Sequence, residues 1–340
     1  MKNRLNTVML SNSDDDIKYA AELIKNGEVV GMPTETVYGL AADATNPEAV
    51  KKIFEAKGRP SDNPLIVHIC DASMMEEIAC EIPKLAYKSA ERFWPGPLTM
   101  VLPKRIIIPK VTSGGLETVG VRLPSDETAR KLISYSGKPI AAPSANLSGS
   151  PSPTTAAYVY ADMNGRIPAI IDGGSCNVGV ESTVISFEND AIRLLRPGYV
   201  SVEMLSEVTE NIIIDKGVLE QLALTAKVSS PGMKYKHYSP KAEIYIIKGN
   251  LSDFEKYVSE NLKDDDAVMI FDCDELSLDV KTIMYGRNSE QQAKRLFSAL
   301  RECDEIGADR VFARCPSTEG VGLAVYNRLL RAAAFRVIEV

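Results

Sequence analysis

The sequence predicts an α/β protein of two domains, and three observations support this prediction. The chain has 340 residues, more than a single hydrophobic core usually serves. Short apolar stretches of strand length alternate with amphipathic stretches of helix length over most of the chain. This alternation stops at residues 225–241, a polar and aromatic segment bounded by prolines, and then resumes. We therefore expect a layered α/β or α+β first domain and a small, open α/β second domain.

Two helices of the first domain have sequence signals at both ends. One begins after Ser13 with an acidic first turn and ends at Gly27. The other begins after Asn46 with a proline at the first helical position and ends at Gly58. Further helices are predicted near 72–80 and 84–92, and strands at 28–32, 64–69, 98–102, 118–122, 139–142, 169–171, 183–187 and 192–195.

The proline-bounded segment predicts a connection between two domains. After it we expect strands at 243–247, 267–271 and 310–313, and helices near 251–262, 289–305 and 321–334. The predicted boundaries are 1–210 for the first domain, 211–241 for the linker and 242–340 for the second domain.

Composition and charge exclude several classes of protein. With 45% hydrophobic and 25% charged residues, the chain matches ordinary globular proteins and not disordered or collagen-like ones. The net charge of −7 argues against a surface that binds nucleic acid throughout, so no stable DNA binding is expected. No apolar run is long enough to span a membrane and no signal peptide is evident, which predicts a cytoplasmic protein. The six cysteines lack C-x-x-C spacing, so neither a disulfide framework nor a zinc site is expected.

Two cations lie where the second predicted helix ends. Lys57 and Arg59 flank Gly58 and precede a turn-rich loop of the kind that can wrap an anion. The same cations, fully solvated, would offset the negative end of the helix dipole. This segment alone does not decide between the two interpretations.

Residues 141–149 follow a predicted strand and end in a glycine. Their hydroxyl and amide groups suit phosphate or carboxylate oxygens, although an ordinary capped turn has the same composition. Arg122 lies in an apolar strand and needs a partner, because burying an unpaired guanidinium is costly. Its planar fork suits a carboxylate, and Arg196, which precedes Pro-Gly, suits a phosphate. His68 lies within a strand, where histidine is usually structural.

Several common sites are missing from the sequence: it contains no Walker-type phosphate loop, no Rossmann glycine fingerprint, no serine-hydrolase elbow and no H-E-x-x-H. A site for ATP would therefore have to be built without the common phosphate loops.

Seven motifs in order resemble the signature series of the YrdC-like domain: PTETVYGL (33–40), FEAKGRP (54–60), NPL (63–65), FWPGPLT (93–99), VR (121–122), APSAN (142–146) and ESTV (181–184). With PGMKYKHYSP (231–240) and the additional α/β domain, the chain is similar to the two-domain family of threonylcarbamoyl-AMP synthases. The resemblance implies an N-terminal YrdC-like twisted mixed sheet with flanking helices, and a small Rossmann-like C-terminal α/β domain.

The resemblance also implies a reaction. Members of the family combine L-threonine, bicarbonate and ATP into threonylcarbamoyl-adenylate and pyrophosphate, which is a nucleotidyl transfer. Mg²⁺ is expected to arrive with ATP, with no metal ligands from the protein and no organic prosthetic group. A separate threonylcarbamoyl-transfer complex then modifies an adenosine of ANN-decoding tRNAs, giving t6A. No membrane partner is implied.

The motif positions imply the site residues. L-threonine is expected to bind at Thr36, His68, Arg122, Ala142 and Ser182. ATP is expected at Arg59, Asn63, Thr118, Ser144, Ser152, Arg196 and Tyr235, and the catalytic positions are Lys57, Arg59, Ser144 and Asn146. The cations of this set would hold the negatively charged groups of the three substrates together against their repulsion.

Three alternatives stay open. The segment around Tyr235 is expected to close over ATP as a lid, but a passive tether has the same composition. YrdC-like domains have a concave basic face, which allows an RNA- or nucleotide-binding module without chemistry, although the acidic total charge weighs against it. Hydrogenase-maturation proteins share this domain, but their added zinc-finger and acylphosphatase-like segments are not supplied by the cysteine spacing here.

Overall fold

The computed structural model describes residues 5–60, 63–220 and 238–340. Within them, the first domain is built on a mixed sheet of eleven strands. These strands are β1 (Val8–Leu10), β2 (Val30–Met32), β3 (Gly39–Asp43), β4 (Ile66–His68), β5 (Leu98–Pro103), β6 (Thr118–Arg122), β7 (Ile140–Ala141), β8 (Ala169–Ile171), β9 (Thr183–Glu188), β10 (Ala191–Arg196) and β11 (Ile212–Ile214). The helices are α1 (Asp14–Lys25), α2 (Pro47–Lys57), α3 (Met74–Ile78), α4 (Lys84–Phe93), α5 (Glu127–Ser136), α6 (Ala156–Met163) and α7 (Val202–Leu205).

The strand order in this sheet is β1-β8-β2-β3-β7-β4-β6-β5-β9-β10-β11. Strands β4 and β6 run parallel, with His68 opposite Arg122, and β5 runs antiparallel to β6, with Thr99 opposite Arg122. These three polar residues therefore form one row across adjacent strands. The expected mixed sheet with flanking helices is confirmed.

Local signals in the sequence account for the ends of the helices. The Ser13 hydroxyl accepts from the Asp16 amide at the start of α1, and the Asn46 side chain accepts from two amides in the first turn of α2. Helix α2 ends at Gly58, whose φ of 63° is the left-handed conformation that glycine adopts without strain. This turn separates Lys57, at the helix end, from the loop that follows.

The second domain has, among the described residues, a sheet of five parallel strands in the order β14-β13-β15-β12-β16. They are β12 (Glu243–Lys248), β13 (Asp266–Ile270), β14 (Lys281–Met284), β15 (Arg310–Arg314) and β16 (Val337–Glu339). Helices α8 (Leu251–Asn261), α9 (Ser289–Glu305) and α10 (Gly322–Ala332) follow β12, β14 and β15. Separate apolar clusters form around Phe297 and around Phe312, as a parallel sheet buried on both faces requires. The expected small α/β domain is confirmed.

The two domains pack closely against each other. Val37 and Val180 of the first domain belong to the same apolar cluster as Phe297 of α9. A Cβ atom at Gly179 would lie 2.3 Å from the Cα atom of Lys294 in α9, and the φ of Gly179 is +83°. Only glycine fits at this position, because a side chain would overlap the helix backbone.

Some elements differ from the predicted set. Strands β1, β3, β11, β14 and β16 and helices α5, α6 and α7 form where none was predicted. Strand β11 lies in the segment predicted as linker and pairs in parallel with β10 of the first sheet. Residues 221–237 lie outside the described residues, and the domain boundaries stay a prediction. None of the helices in the described ranges is long and apolar enough to cross a bilayer.

Candidate active site

The expected site residues converge on one cavity in the first domain. Strands β4, β6 and β10 run in the same direction, so their last residues, His68, Arg122 and Arg196, come to the same edge of the sheet. Ten expected residues line the cavity at this edge: Thr36, Lys57, Arg59, His68, Arg122, Ala142, Ser144, Asn146, Ser182 and Arg196. The segment around Lys57 and the segment 141–149 therefore line the same cavity. The sequence alone did not decide whether either segment belongs to a binding site.

Lys57 shapes the loop that follows β7. Its ammonium donates to the carbonyl oxygen of Ser144, to the carbonyl oxygen of Asn146 at 2.8 Å and to Asn146 Oδ1 at 3.3 Å. The Ser144 hydroxyl donates to the same Oδ1 at 2.6 Å. Burial, and then the charge of Arg59, lowers the pKa of Lys57. Because all of these acceptors belong to one loop, Lys57 fixes the position of Ser144.

Arg122 forms a buried ion pair with Glu35. The Nη2 atom of Arg122 lies 2.7 Å from Glu35 Oε1, and the side chains are 5% and 7% exposed. The Nε atom of Arg122 is buried and has no hydrogen-bond partner among the described residues. The guanidinium is therefore held on one side by a carboxylate and keeps a donor for a ligand.

His68 is a neutral group in this cavity. Burial, and then the positive charge of Arg122, lowers the pKa of His68 to about 3. Its Nδ1 atom is buried, with no hydrogen-bond partner in the described ranges. His68 can therefore bind a ligand through hydrogen bonds but supplies no charge at neutral pH.

Arg196 contacts Ser182 of the ESTV motif, the residue just before β9. Its Nη2 atom donates to the Ser182 carbonyl at 3.0 Å and to the Ser182 hydroxyl at 3.2 Å. That hydroxyl also lies 2.8 Å from the hydroxyl of Thr99. Burial, and then repulsion from Arg328, lowers the pKa of Arg196 to about 10, so the guanidinium stays charged at neutral pH.

Ser152 lies beside the cavity and contacts its acidic wall. The Ser152 hydroxyl donates at 2.9 Å to Glu181, which lines the cavity. Burial would raise the pKa of Glu181, but the charges of Arg328 and Arg196 outweigh it and hold the pKa below its ordinary value. Ser152 therefore donates to an ionised carboxylate.

Besides Ser152, two expected ATP contacts, Asn63 and Thr118, lie outside the cavity lining. Asn63 is buried beside the lining residue Pro64, and neither its amide nitrogen nor its amide oxygen has a partner among the described residues. Thr118, at the opposite end of β6 from Arg122, lines an adjoining cleft that shares Pro64 with the cavity. Tyr235 lies outside the described residues, so its contact with ATP stays a prediction.

Glu35 is absent from the expected site residues, and Tyr238 is expected only as part of the segment around Tyr235 that closes over ATP. Tyr238 is buried and lines the cavity, and its ring lies 5.1 Å from that of Phe297 in the second domain. Burial, and then the charge of Glu181, raises the pKa of Tyr238. A signal for Glu35 did exist, because a carboxylate between two apolar strands requires a cation such as Arg122 when it is buried.

The cavity suits anionic ligands. Its lining carries four cationic side chains, Lys57, Arg59, Arg122 and Arg196, and one carboxylate, Glu181. Charged hydrogen bonds from such groups bind carboxylates and phosphates strongly. Among the described residues, no group of three His, Cys, Asp or Glu side chains is placed to hold a metal ion.

Known proteins match the chain over both domains. A family model described as "Telomere recombination" matches residues 22–198, and one described as the C-terminal domain of threonylcarbamoyl-AMP synthase matches residues 200–334. The chain is 46% identical to a threonylcarbamoyl-AMP synthase of Pyrococcus abyssi over 327 residues, 95% of this chain and 96% of the relative. It is 47% identical to one of Bacillus subtilis over 336 residues, 97% of this chain and 96% of the relative. The crystal structure of P. abyssi Sua5 complexed with L-threonine matches with a TM-score of 0.91 and 44% identity, over 98% of this chain and 100% of the other.

The fold and the site define a two-domain enzyme in which a YrdC-like domain is joined to a Sua5-type C-terminal domain. Its class is that of the nucleotidyltransferases. The chain belongs to the threonylcarbamoyl-AMP synthase family.

Proposed function

We propose that this enzyme condenses L-threonine, bicarbonate and ATP into threonylcarbamoyl-adenylate and pyrophosphate. One observation carries the proposal: Lys57, Arg59, Arg122 and Arg196, from three separate segments, line one cavity. Similarity to threonylcarbamoyl-AMP synthases over nearly the full length supports it, as does the L-threonine complex of the P. abyssi relative. The match of the second family model to residues 200–334 favours this function over carbamoyl transfer in hydrogenase maturation.

We propose that Arg122 binds the threonine carboxylate. Its buried Nε atom is an available donor, and the ion pair between Nη2 and Glu35 restrains the guanidinium. Neutral His68 and the hydroxyls of Thr36 and Ser182 offer hydrogen bonds to the hydroxyl and amine groups of threonine. The Ala142 backbone completes this subsite.

The nucleotide subsite combines two cations with neutral polar groups. Arg59 and Arg196 would bind the phosphates of ATP, and Ser144, held by Lys57, offers a hydroxyl beside them. The buried amide of Asn63, with no partner among the described residues, supports a hydrogen bond to the nucleotide. Ser152, Thr118 and Tyr235 complete the proposed set.

The reaction follows from bringing these groups together. The threonine amine attacks the carbon of CO2 or bicarbonate and loses a proton to form a carbamate; from bicarbonate, hydroxide leaves as water. A carbamate oxygen then attacks the α-phosphorus of ATP, the bond from the α-phosphorus to the bridging oxygen breaks, and pyrophosphate leaves with that oxygen. The cations offset the charge repulsion between the reacting groups, and their fixed positions supply the orientation.

Mg²⁺ is proposed to bind to the ATP phosphates and to neutralise their charge. The cavity lining has a single carboxylate, Glu181, and so offers no cage of protein oxygens for a metal; Mg²⁺ would be held by the phosphates. We further propose that the product is passed in the cytoplasm to a threonylcarbamoyl-transfer complex, which modifies tRNA to give t6A.

The test is incubation of the enzyme with ATP, ¹⁴C-bicarbonate and each amino acid in turn, followed by detection of pyrophosphate and of a labelled adenylate. We expect a labelled product with threonine that requires bicarbonate. Pyrophosphate release that does not depend on threonine and bicarbonate together would refute the proposal.

Two variants test the division into subsites. Arg122→Ala should mainly raise the KM for threonine, whereas Arg59→Ala should abolish binding of ATP, because each removes a charged donor from a different subsite. Equal effects of the two substitutions on both substrates would contradict the proposed division.

A further inference from the structure

The second domain reaches the cavity through one fully buried arginine. Arg328 of α10 is 0% exposed, and it donates from Nε to Glu181 Oε2 at 2.9 Å and from Nη1 to the Pro197 carbonyl at 2.6 Å. Glu181 lines the cavity of the first domain. The proposed reaction gives Arg328 no role, although this arginine contacts a wall of the cavity.

Glu181 links this contact to two expected ATP contacts. Its other carboxylate oxygen, Oε1, accepts from the Ser152 hydroxyl at 2.9 Å. The next residue, Ser182, accepts hydrogen bonds from Arg196 at both its carbonyl and its hydroxyl oxygen. Arg328 therefore fixes the carboxylate of Glu181, to which Ser152 donates. The adjacent residue, Ser182, is the one that Arg196 contacts.

A second arginine of the C-terminal domain, Arg301, binds Pro151, the residue before Ser152. Arg301 of α9 donates to the Pro151 carbonyl at 2.6 Å and to the two carboxylate oxygens of Asp162 at 3.2 and 2.7 Å. Pro151 is thus bound directly by the second domain, and Ser152 is bound by it through Glu181. The position of this stretch of the first domain depends on both contacts.

Stability alone does not explain the Arg328–Glu181 pair. The loss of hydration that accompanies burial offsets much of the attraction in a buried ion pair, so such a pair is a poor source of net stability. The domains are already joined by an apolar cluster that includes Val37, Val180 and Phe297. What the ion pair adds is a fixed orientation of both oxygens of Glu181.

We propose that Arg328 is a positioning residue for ATP, which acts through Glu181 on Ser152 and Arg196 without touching the nucleotide. This inference rests on the proposed nucleotide subsite. The second domain then has a defined part in the reaction. Through the contact of Arg328 with Glu181 it sets the positions of the residues that bind ATP, without contacting ATP itself. Ser182 also belongs to the proposed threonine subsite, but the carboxylate contact of that subsite is made by Arg122, which pairs with Glu35. Threonine affinity should therefore change far less than ATP affinity.

The experiment compares full-length Arg328→Gln with the double variant Glu181→Gln/Arg328→Gln. Binding of ATP and of threonine is measured by calorimetry, and the melting temperature is measured in parallel. We expect Arg328→Gln to weaken ATP binding about tenfold or more, as loss of a charge-assisted contact does, with threonine affinity changed less than about twofold. The double variant leaves no unpaired buried carboxylate, so it should recover melting temperature without recovering ATP affinity.

Arg310→Gln is the matched control. Arg310 pairs with Asp266 at 2.5 Å inside the second domain, and neither residue lines the cavity. Arg310→Gln should lower the melting temperature and leave the ATP affinity unchanged. If Arg328→Gln does not fold, Arg328→Lys keeps the charge without the planar fork, and it should show the same separation of ATP from threonine affinity.

ATP affinity that recovers together with the melting temperature in the double variant overturns the proposal. An Arg328→Gln or Arg328→Lys variant that binds ATP like the wild type also overturns it. A wild-type enzyme that binds ATP but makes no threonine-dependent product contradicts the proposed function and leaves the positioning test valid. A wild-type enzyme that does not bind ATP contradicts both.

Discussion

The carboxylate of Glu35 lies 2.7 Å from the guanidinium of Arg122, and both side chains are buried. Glu35 is near the start of the loop after β2, and Arg122 is the last residue of β6, so the pair joins two segments of the cavity wall. A carboxylate in this position restrains a guanidinium and balances its charge before any substrate binds. The orientation of Arg122 therefore depends on a residue outside the cavity lining.

Glu35→Gln should raise the KM for threonine by about tenfold, because the guanidinium of Arg122 loses the charged partner that restrains it. The KM for ATP should change little, because Arg59 and Arg196 are in other segments. Steady-state kinetics with each substrate varied in turn provides the measurement. Glu28→Gln, which removes a half-exposed partner of Lys52, is the control; a Glu35→Gln enzyme with an unchanged KM for threonine would argue against this role.

Arg122→Lys should lose most of the threonine affinity even though it keeps the charge. An ammonium cannot reproduce a planar fork whose Nη2 atom pairs with Glu35 while its Nε atom stays available for a carboxylate. We expect at least about a tenfold weaker binding of threonine, measured by calorimetry. Binding equal to that of the wild type would mean that charge alone, and not the fork, holds the substrate.

Lys57→Met should reduce turnover by disordering the loop that carries Ser144. The substitution keeps a similar side-chain length and removes every hydrogen bond from Lys57 to Ser144 and Asn146, a loss of about 2 kcal/mol. Hydrogen exchange of residues 144–150 should accelerate along with the loss of turnover. Lys51→Met, an exposed position on the same helix, is the control; slow exchange with low turnover would indicate a direct chemical role for Lys57.

His68 should contribute to the acid sensitivity of the fold. Its folded pKa is about 3, below the ordinary value of 6.5, so between these pH values the unfolded chain binds a proton that the folded protein does not. The free energy of unfolding should therefore fall as the pH is lowered from 6.5 towards 3. His68→Gln should flatten this dependence in urea unfolding at pH 7.0 and 4.5, and equal slopes for the two proteins would contradict the burial of a neutral imidazole.

The elements predicted from the sequence were those with local signals. Helices α1 and α2 have Ser13 and Asn46 as caps, and the structure shows both side chains accepting the hydrogen bonds of the first turn. Strand β3 has no such signal, because Gly39–Asp43 is rich in glycine and alanine, which have weak strand propensity. Its pairing with β2 on one side and β7 on the other imposes the strand conformation.

The cavity could be anticipated in outline, because its motifs are short and ordered along the chain. The contacts that cross between domains could not. Arg328 and Glu181 are 147 residues apart, and no local pattern relates a buried arginine on a helix to a carboxylate in another domain. The polar, aromatic and proline-bounded segment that contains Tyr238 predicts a linker, and the place of Tyr238 in the cavity wall, packed on Phe297, is visible only in the structure.

Gly179 leaves no clearance for a methyl group against α9, where the nearest backbone atom would lie 2.3 Å away. Replacement by alanine would insert a wedge of one carbon atom between the domains while leaving every cavity residue unchanged. The variant would therefore show how activity depends on the contact between the domains, with the residues of the cavity kept. Gly179→Ala thus offers a way to disturb the contact between the domains without deleting the C-terminal domain.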